Sequence, residues 1–234
     1  MSNQHIASAF DRDLEAIQTK IMKMGGLVEA AILEGAVSLE TRDEERAEKV
    51  RAADKIIDRL EEEINEDAAR LIALRSPTAG DLRMVLAIMK ISGNLERIGD
   101  YAKNMAKRTG VLSQMAPVND SAGALRRMAK EVEKMLKDAL DAYIHRDAEL
   151  AYSVIERDSD VDQMYNGLFR EFLTFMMEDP RNITACMHLH FIGKNIERMG
   201  DHVTSIAEQV VYLVTGEHPD EARTKSDVTS TQKI

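Results

Sequence analysis

Residues 91–102, ISGNLERIGDYA, and residues 192–203, IGKNIERMGDHV, are two copies of one motif. Six of the 12 aligned positions are identical, and three apolar exchanges preserve the hydrophobic pattern. A spacing near 100 residues is too long for one unit of a solenoid, so the motif indicates a duplicated structural unit. Each copy carries a glutamate and an aspartate four residues apart, which makes both copies candidate sites.

The composition favours helices and excludes several protein classes. Hydrophobic residues make up 44% of the 234 residues, with 14 Met, no Trp and 4 Pro, which favours an aliphatic helical core. The one cysteine, Cys186, excludes an internal disulfide framework and suits a reducing cytoplasm. We expect a soluble cytoplasmic protein because no apolar run has membrane-spanning length and no secretory signal pattern appears. A net charge of −10 argues against nucleic-acid binding.

Hydrophobic periodicity and helix-start signals predict six long helices. Thr41 and Glu44 have the spacing of a capping box, which predicts a helix start at Thr41. Ser76-Pro77 and Asp179-Pro180 each predict a helix that begins with a cap and a proline. The predicted helices span residues 8–39, 41–74, 76–110, 124–144, 147–177 and 181–215.

The order of these helices repeats, which predicts an all-α protein of two tandem three-helix bundles. Asp43, Asp54 and Asp58 recur as Asp147, Asp158 and Asp162 at a constant offset of 104 residues. Residues 113–123 are rich in turn-forming residues and mark the boundary between the halves. The predicted units are residues 1–112 and 120–216, followed by a polar, flexible tail at 217–234.

The repeated carboxylates are candidate metal ligands. Residues four apart share a helix face, so each motif presents a carboxylate pair, and an angular count places the pair away from the apolar side. We therefore expect a shallow, open site. Paired aspartates on the neighbouring helix add oxygen ligands, which suit Mg²⁺, Mn²⁺, Ca²⁺ or iron. The candidate ligands are Glu96, Asp100, Asp54 and Asp58 in the first half and Glu197, Asp201, Asp158 and Asp162 in the second, with Asn94 and Asn195 as auxiliary ligands.

An alternative interpretation treats these carboxylates as ordinary surface charges. Arg97 lies three residues before Asp100, so the two side chains are also spaced for a surface ion pair of little energy. Gly99 and Gly200, beside the two pairs, indicate a close approach that helix packing alone also explains. Asp81, near the start of the third helix, either favours the helix dipole or contacts a partner.

Several familiar sites are absent from the sequence. A buried di-iron bundle requires a histidine three residues after the glutamate, but Gly99 and Gly200 stand there. The sequence contains no phosphate-binding glycine loop, no signature of a serine or cysteine nucleophile, and no dinucleotide-binding fingerprint. Gly25-Gly26, in the middle of the first helix, indicates a kink, a close helix crossing or simple tolerance of glycine.

Five stretches together resemble the PhoU family of bacterial accessory regulators of phosphate uptake. They are NLERIGDYAKN at 94–104, NIERMGDHVTSIAE at 195–208, SPTAGDLR at 76–83, MKMGGLVE at 22–29 and MMEDPRNI at 176–183. The resemblance covers nearly all of the chain as far as about residue 216. It implies two three-helix bundles whose surfaces carry metal clusters, with Mg, Mn or Fe as the ions. The implied ligands are Glu96/Asp100 and Glu197/Asp201, with Asp54/Asp58 and Asp158/Asp162 as co-ligands.

The resemblance also implies a role. Proteins of this family are similar to adaptors rather than enzymes, are often dimeric, and link the ATPase of the phosphate ABC transporter to a membrane histidine kinase. They thereby repress the phosphate-starvation response when phosphate is plentiful. We therefore predict a cytoplasmic homodimer that reaches the inner membrane only through protein partners and does not insert into it.

Two further hypotheses remain open from the residues alone. Clustered carboxylates that bridge two cations are able to activate water, as in a phosphohydrolase. Alternatively, the chain is a plain helical scaffold with salt-bridged faces, which predicts no bound metal and little effect of Asp100→Asn.

Overall fold

A computed structural model of the protein describes residues 2–219, with side chains from residue 9, and is helical throughout apart from short turns. It confirms the predicted all-α class, and the described residues contain no strand. Residues 220–234, most of the predicted flexible tail, lie outside the described part of the chain. The helices are α1 (Ser2–Thr41), α2 (Glu44–Arg75), α3 (Ala79–Leu112), α4 (Ser121–His145), α5 (Ala148–Glu178) and α6 (Ile183–Thr215).

The first turn in each half is the same structure, although the predicted capping box was wrong. Thr41 is the last residue of α1, and Asp43 caps α2 by accepting a hydrogen bond from Arg46 N at 2.9 Å. Asp147 caps α5 in the same way through Leu150 N at 3.0 Å. The preceding Arg42 and Arg146 both adopt a left-handed conformation, with φ of 56° and 53°. The chain therefore reverses at Arg42, and the reversal prevents Thr41 from starting a helix.

The prolines mark the turn before each motif helix. Ser76 is the C-cap of α2, with φ 47°, so its predicted role as the N-cap of α3 was wrong. Thr78 occupies the N-cap position of α3 instead. The second prediction holds, because Asp179 caps the short 3₁₀ turn Pro180–Asn182 and α6 follows at once.

The six helices form two three-helix bundles that share one hydrophobic core. Helices α1, α2 and α3 pack together, as do α4, α5 and α6, and the bundles meet where α1 contacts α4 and α3 contacts α6. Buried aliphatic and Met side chains run continuously through both halves. A Cβ on Gly25 would clash with Leu140 of α4, so the close-crossing interpretation of Gly25-Gly26 is the one that the structure supports. The motif helices α3 and α6 therefore lie side by side at the centre of the molecule.

Among the described residues, no helix is both long enough and apolar enough to span a bilayer.

Candidate functional site

The structure brings together the four predicted carboxylates of the first half. Asp54 and Asp58 lie on α2, and Glu96 and Asp100 lie on α3, where the two helices pack against each other. Lys103, one turn beyond Asp100, joins the two helices. Its Nζ donates to Asp54 Oδ2 at 2.5 Å and to Asp100 Oδ1 at 2.6 Å. We call Asp54, Asp58, Glu96, Asp100 and Lys103 the first cluster.

Burial and, after it, repulsion between carboxylates raise the pKa of two acidic groups of the first cluster. Burial raises the pKa of Glu96, and the negative charges of Asp100 and Asp58 raise it further. The pKa of Asp58 is also raised, first by burial and then by the charge of Asp54. Burial opposes the charge on Lys103, but its hydrogen bonds to Asp100 and Asp54 outweigh this effect and raise its pKa. Asp54 and Asp100 therefore share Lys103 as a counter-ion, and Asp58 and Glu96 lie near enough to feel the charge of the other carboxylates.

The second half repeats the cluster with a different counter-ion. Asp158 and Asp162 lie on α5, and Glu197 and Asp201 lie on α6. Lys194 Nζ lies 2.9 Å from Glu197 Oε1, whereas the position equivalent to Lys103 is Thr204. The Thr204 hydroxyl donates to Asp158 Oδ1 at 3.1 Å. We call Asp158, Asp162, Lys194, Glu197 and Asp201 the second cluster.

The expectation of a shallow, open site was wrong for half of the carboxylates. Asp54, Asp162 and Glu197 are each 4% exposed, and Asp158 is 6% exposed. The Glu96 and Asp100 side chains, at 26% and 31%, are only partly exposed. The angular count along α3 places Glu96 and Asp100 outside the apolar stripe, but α2 packs beside this part of α3 and leaves them only partly exposed.

The motif glycines allow those neighbouring helices to approach. A Cβ on Gly99 would lie 3.1 Å from Ile57 Cδ1 of α2. A Cβ on Gly200 would lie 3.4 Å from Val161 Cγ1 of α5, and Ile57 and Val161 occupy equivalent positions in the two halves. Helix packing therefore accounts for Gly99, where a Cβ would crowd Ile57, whereas a Cβ at Gly200 would make an ordinary contact with Val161.

Asn94 does not face the first cluster. Its Oδ1 lies 2.8 Å from His202 Nδ1 of α6, and its amide nitrogen donates to Lys90 O at 2.8 Å. The Asn94 side chain therefore contacts the other half of the molecule, and its assignment as an auxiliary ligand stays a prediction. Asn195 is partly exposed on α6. Burial lowers the pKa of His202 although the charge of Asp201 opposes this effect.

Asp81 has a local role at the start of α3. The hydroxyl of Thr78, the N-cap residue, donates to Asp81 Oδ2 at 3.0 Å. An acidic side chain in the first turn also interacts favourably with the helix dipole.

The carboxylate oxygens are donor atoms of the kind that hard cations prefer, and one of them is buried without a hydrogen-bond partner among the described residues. Asp54 Oδ1 is buried, and no hydrogen-bond donor reaches it among the described residues. A buried carboxylate oxygen without a donor is costly, and oxygen ligands suit Mg²⁺, Mn²⁺ or iron. As they stand, no three or more His, Cys, Asp or Glu side chains within the described residues are arranged to hold a metal ion.

Sequence reasoning missed the basic residues of the two clusters. Lys103 follows Asp100 by three residues and Lys194 precedes Glu197 by three, so helical spacing alone places each lysine beside a carboxylate of its motif. The two lysines do not occupy equivalent positions in the two motif copies. An alignment of the copies therefore does not reveal that each cluster contains a lysine.

The fold and site define a class: helical proteins made of two three-helix bundles, each with a carboxylate cluster beside a Glu-x-x-x-Asp motif. The chain belongs to the PhoU family, because a sequence model of the PhoU domain matches residues 21–109 and again residues 125–210.

Individual relatives match over nearly the whole chain. The phosphate-specific transport system accessory protein PhoU homolog of Rhizobium meliloti is 45% identical over 231 residues, covering 99% of this chain and 98% of that protein. The crystal structure of PhoU from Pseudomonas aeruginosa superposes with a TM-score of 0.85 at 38% identity, covering 89% of this chain and 100% of that chain. The phosphate transport system regulatory protein PhoU from Streptococcus pneumoniae gives a TM-score of 0.81 at 32% identity, covering 90% and 99%.

Proposed function

We propose that this protein is a non-enzymatic accessory regulator of phosphate transport that keeps the phosphate-starvation response repressed when phosphate is plentiful. One observation carries the proposal: a relative named as a phosphate-specific transport accessory protein is 45% identical over 99% of the chain. The shared region includes both carboxylate clusters and both motif helices. In this role the protein regulates phosphate uptake and intracellular phosphate homeostasis.

The proposed mechanism is that of an adaptor between two protein partners. The protein contacts the ATPase of the phosphate ABC transporter and the phosphate-sensing histidine kinase, and passes the state of the transporter to the kinase. It acts in the cytoplasm and reaches the inner membrane through these partners. Long helices on a continuous buried core support this role, because they form extended and rigid surfaces. We also propose that the protein forms a homodimer.

Each carboxylate cluster is proposed to hold a divalent or trivalent cation, Mg, Mn or Fe. Asp54, Asp58, Glu96 and Asp100 are the ligands in the first half, and Asp158, Asp162, Glu197 and Asp201 are those in the second. The bound cation supplies the positive charge that offsets repulsion among the carboxylates. In the first cluster Lys103 already lies between Asp54 and Asp100, so a cation competes with its ammonium. Support comes from the buried Asp54 Oδ1 that lacks a donor.

A carboxylate-bridged metalloenzyme, for example a phosphohydrolase, is the alternative. The buried carboxylates of the second cluster favour it, because low-polarity surroundings strengthen a cation that activates water. The names of the relatives favour the regulator. Turnover of phosphoesters by the purified protein that is lost in Glu96→Ala or Glu197→Ala would establish the enzyme.

A phosphate-responsive alkaline phosphatase reporter tests the proposal. In phosphate excess, a strain that lacks the gene should give high reporter output, and the wild-type gene should silence it. Unchanged output on deletion contradicts the regulatory role. The double variant Glu96→Gln/Glu197→Gln, checked for folding by circular dichroism, then tests the clusters. Repression lost with this variant, but kept with Glu66→Gln on the exposed face of α2, assigns function to the clusters.

A further inference from the structure

The line where α3 and α6 meet at the surface carries exposed positive charge on an otherwise acidic protein. Asn94 contacts His202, and Arg108 Nη1 lies 3.1 Å from His188 Nδ1, so the two helices run antiparallel along this line. The chain carries a net charge of −10, but residues 97–111 of α3 and 183–198 of α6 contain six Lys or Arg against two acidic residues, Asp100 and Glu197. We call this surface, which runs from Arg97 to Val111 on α3 and from Ile183 to Arg198 on α6, the α3/α6 seam.

The arginines of the α3/α6 seam have weak ion pairs or none. Among the described residues no carboxylate lies within ion-pair distance of Arg108 or Arg198. Arg97 pairs only with its neighbour Glu96, at 3.6 Å, and its side chain is 63% exposed. Asn94 contacts His202 across the two helices, and Arg97 lies three residues after Asn94 while Arg198 lies four residues before His202, so both arginines belong to the same stretch of the seam. The exposed guanidinium groups of Arg97 and Arg198 are therefore available to an acidic partner, and the partly buried Arg108, which contacts His188, has no carboxylate partner of its own within the described part of the chain.

An apolar stripe lies beside these arginines. Ile183, Met187 and Phe191 are spaced four residues apart on one face of α6 and are 46%, 40% and 44% exposed. The Arg108 guanidinium carbon lies 4.6 Å from the centre of the Phe191 ring, so charge and apolar surface are contiguous. Val111, 42% exposed, continues the apolar surface on α3 one turn beyond Arg108.

We propose that the α3/α6 seam binds an acidic amphipathic helix of a partner protein. Apolar side chains of that helix would cover the stripe of α6, and its carboxylates would pair with Arg108, Arg198 and Arg97. An amphipathic helix binds by laying its apolar face on exposed apolar side chains, and arginine forms two parallel hydrogen bonds with a carboxylate. This proposal specifies the kind of segment that a partner of the adaptor presents to the seam. It rests on the proposed adaptor function, which supplies the partner.

A second copy of the chain fits this surface less well. A two-fold symmetric dimer presents the same patch on both subunits, so it would place the arginines of one seam against those of the other. Like charges at an interface oppose association. The same positive charge attracts a partner that carries Asp and Glu.

Site-specific photocrosslinking in cells tests the proposal. The photoreactive residue p-benzoylphenylalanine replaces Met187 on the seam or, as a control, Tyr152, which is 44% exposed on α5. We expect position 187 to crosslink to a different protein, at a segment rich in Asp or Glu and apolar residues, and position 152 to give much less of that product. Crosslinks from position 187 only to a second copy, or none at all, overturn the proposal.

Charge-removing variants provide the second test. Arg108→Gln/Arg198→Gln should lower the crosslink yield about tenfold, because each change removes a charge-assisted pair. Arg126→Gln/Arg127→Gln on α4 is the matched control and should leave the yield unchanged. Circular dichroism melting curves verify that both variants fold. The affinity of the purified protein for the purified partner, identified beforehand by the crosslink, should fall when the salt concentration rises from about 50 to about 500 mM. An unchanged yield in the seam variant overturns the proposal.

The two proposals fail in different ways. If deletion leaves the phosphate reporter unchanged but the crosslink at position 187 persists and depends on the arginines, the phosphate role is wrong and the docking surface stands. If wild type and Arg108→Gln/Arg198→Gln both repress the reporter and no crosslink forms, the docking surface is wrong and the regulator stands.

Discussion

Lys103 is the residue on which the charge balance of the first cluster depends. Its ammonium is the one side-chain cation within 4 Å of Asp54 among the described residues, and it also binds Asp100. Asp54 is buried, so its charge has little access to water. The equivalent Thr204 brings a hydroxyl without charge to Asp158. The duplicated clusters are therefore chemically different at one position.

Lys103→Met should destabilise the protein by about 2 kcal/mol, because it leaves the buried carboxylate of Asp54 without a counter-ion. The expected loss is smaller than for a fully buried ion pair because Lys103 itself is partly exposed. Urea unfolding in metal-free buffer measures the loss. Lys107→Met, one turn further along α3 and exposed, should change the free energy of unfolding by less than about 0.5 kcal/mol. With the proposed cation at this site, added Mn²⁺ should restore much of the stability of Lys103→Met. Equal effects of the two variants would contradict the role given to Lys103.

The raised pKa of Glu96 gives a pH-dependent prediction. A raised folded pKa means that the folded protein holds the proton more tightly than the unfolded chain. The stability that protonated Glu96 contributes is complete below its ordinary pKa of 4.5 and is lost as the pH rises through the folded value. Glu96→Gln should therefore raise the free energy of unfolding by about 0.5 kcal/mol at neutral pH in metal-free buffer.

At about pH 4 the difference between Glu96→Gln and the wild type should vanish, because wild-type Glu96 is then protonated. Urea titrations at both pH values measure it. Glu66→Gln, exposed on α2, serves as the control and should show no such trend. A Glu96→Gln protein less stable than the wild type at neutral pH would show that the carboxylate is not repelled by its neighbours.

Among the helices, the two halves agree more closely in how their helices begin and pack than in the charged side chains of their clusters. Asp43 and Asp147 make the same capping bond after the same left-handed arginine. Gly99 and Gly200 admit Ile57 and Val161 at equivalent positions. Backbone geometry and helix packing are thus common to both halves, whereas the counter-ions of the clusters differ.

The caps of α2 and α5 should contribute equally to stability. Asp43→Ala and Asp147→Ala should each lower the free energy of unfolding by about 1 kcal/mol, because each removes the acceptor for a first-turn N–H. Their effects should add in the double variant because the caps share no partner. Thr41→Ala should cost less, since the Thr41 hydroxyl only donates to Val37 O within α1. Thermal and urea unfolding of the four proteins decide between Asp43 and Thr41 as the cap.

Close contact between α2 and α3 requires a glycine at position 99. Gly99→Val should destabilise by about 2 kcal/mol, because the added atoms meet Ile57 of α2 in a packed interface. Gly93→Val, on the same helix, has open space around its Cβ and should change the free energy of unfolding by less than about 0.5 kcal/mol. Urea unfolding compares them, and similar stability of the two variants would argue against a tight α2–α3 contact.

At the scale of the whole molecule, two bundles behave as one packed body. Contacts of α1 with α4 and of α3 with α6 join the halves, and the buried apolar side chains form one cluster. The carboxylate clusters lie on either side of this centre, and the arginines of the α3/α6 seam lie along it. Acidic and basic side chains therefore adjoin each other along the motif helices, as Arg97 and Glu96 show.

The shared core predicts a single unfolding transition. Circular dichroism reports helix in both halves, whereas thiol labelling of Cys186, fully buried on α6, reports only the opening of the second half. The two urea midpoints should coincide, because loss of one bundle exposes the apolar face of the other. A circular dichroism curve with two steps, only one of which coincides with Cys186 labelling, would show that the bundles unfold independently.

The six helices, the duplication and the carboxylate pairs are predictable from the sequence, because they depend on periodicity and spacing along one chain. The errors of prediction at Thr41 and Ser76 arose where a left-handed residue decided which neighbour caps the helix. Tertiary structure alone decided which carboxylates are buried, and that Asn94 faces His202 and not the first cluster. Burial and partners of a side chain depend on the helix packed across from it, and residues far away in sequence supply that helix.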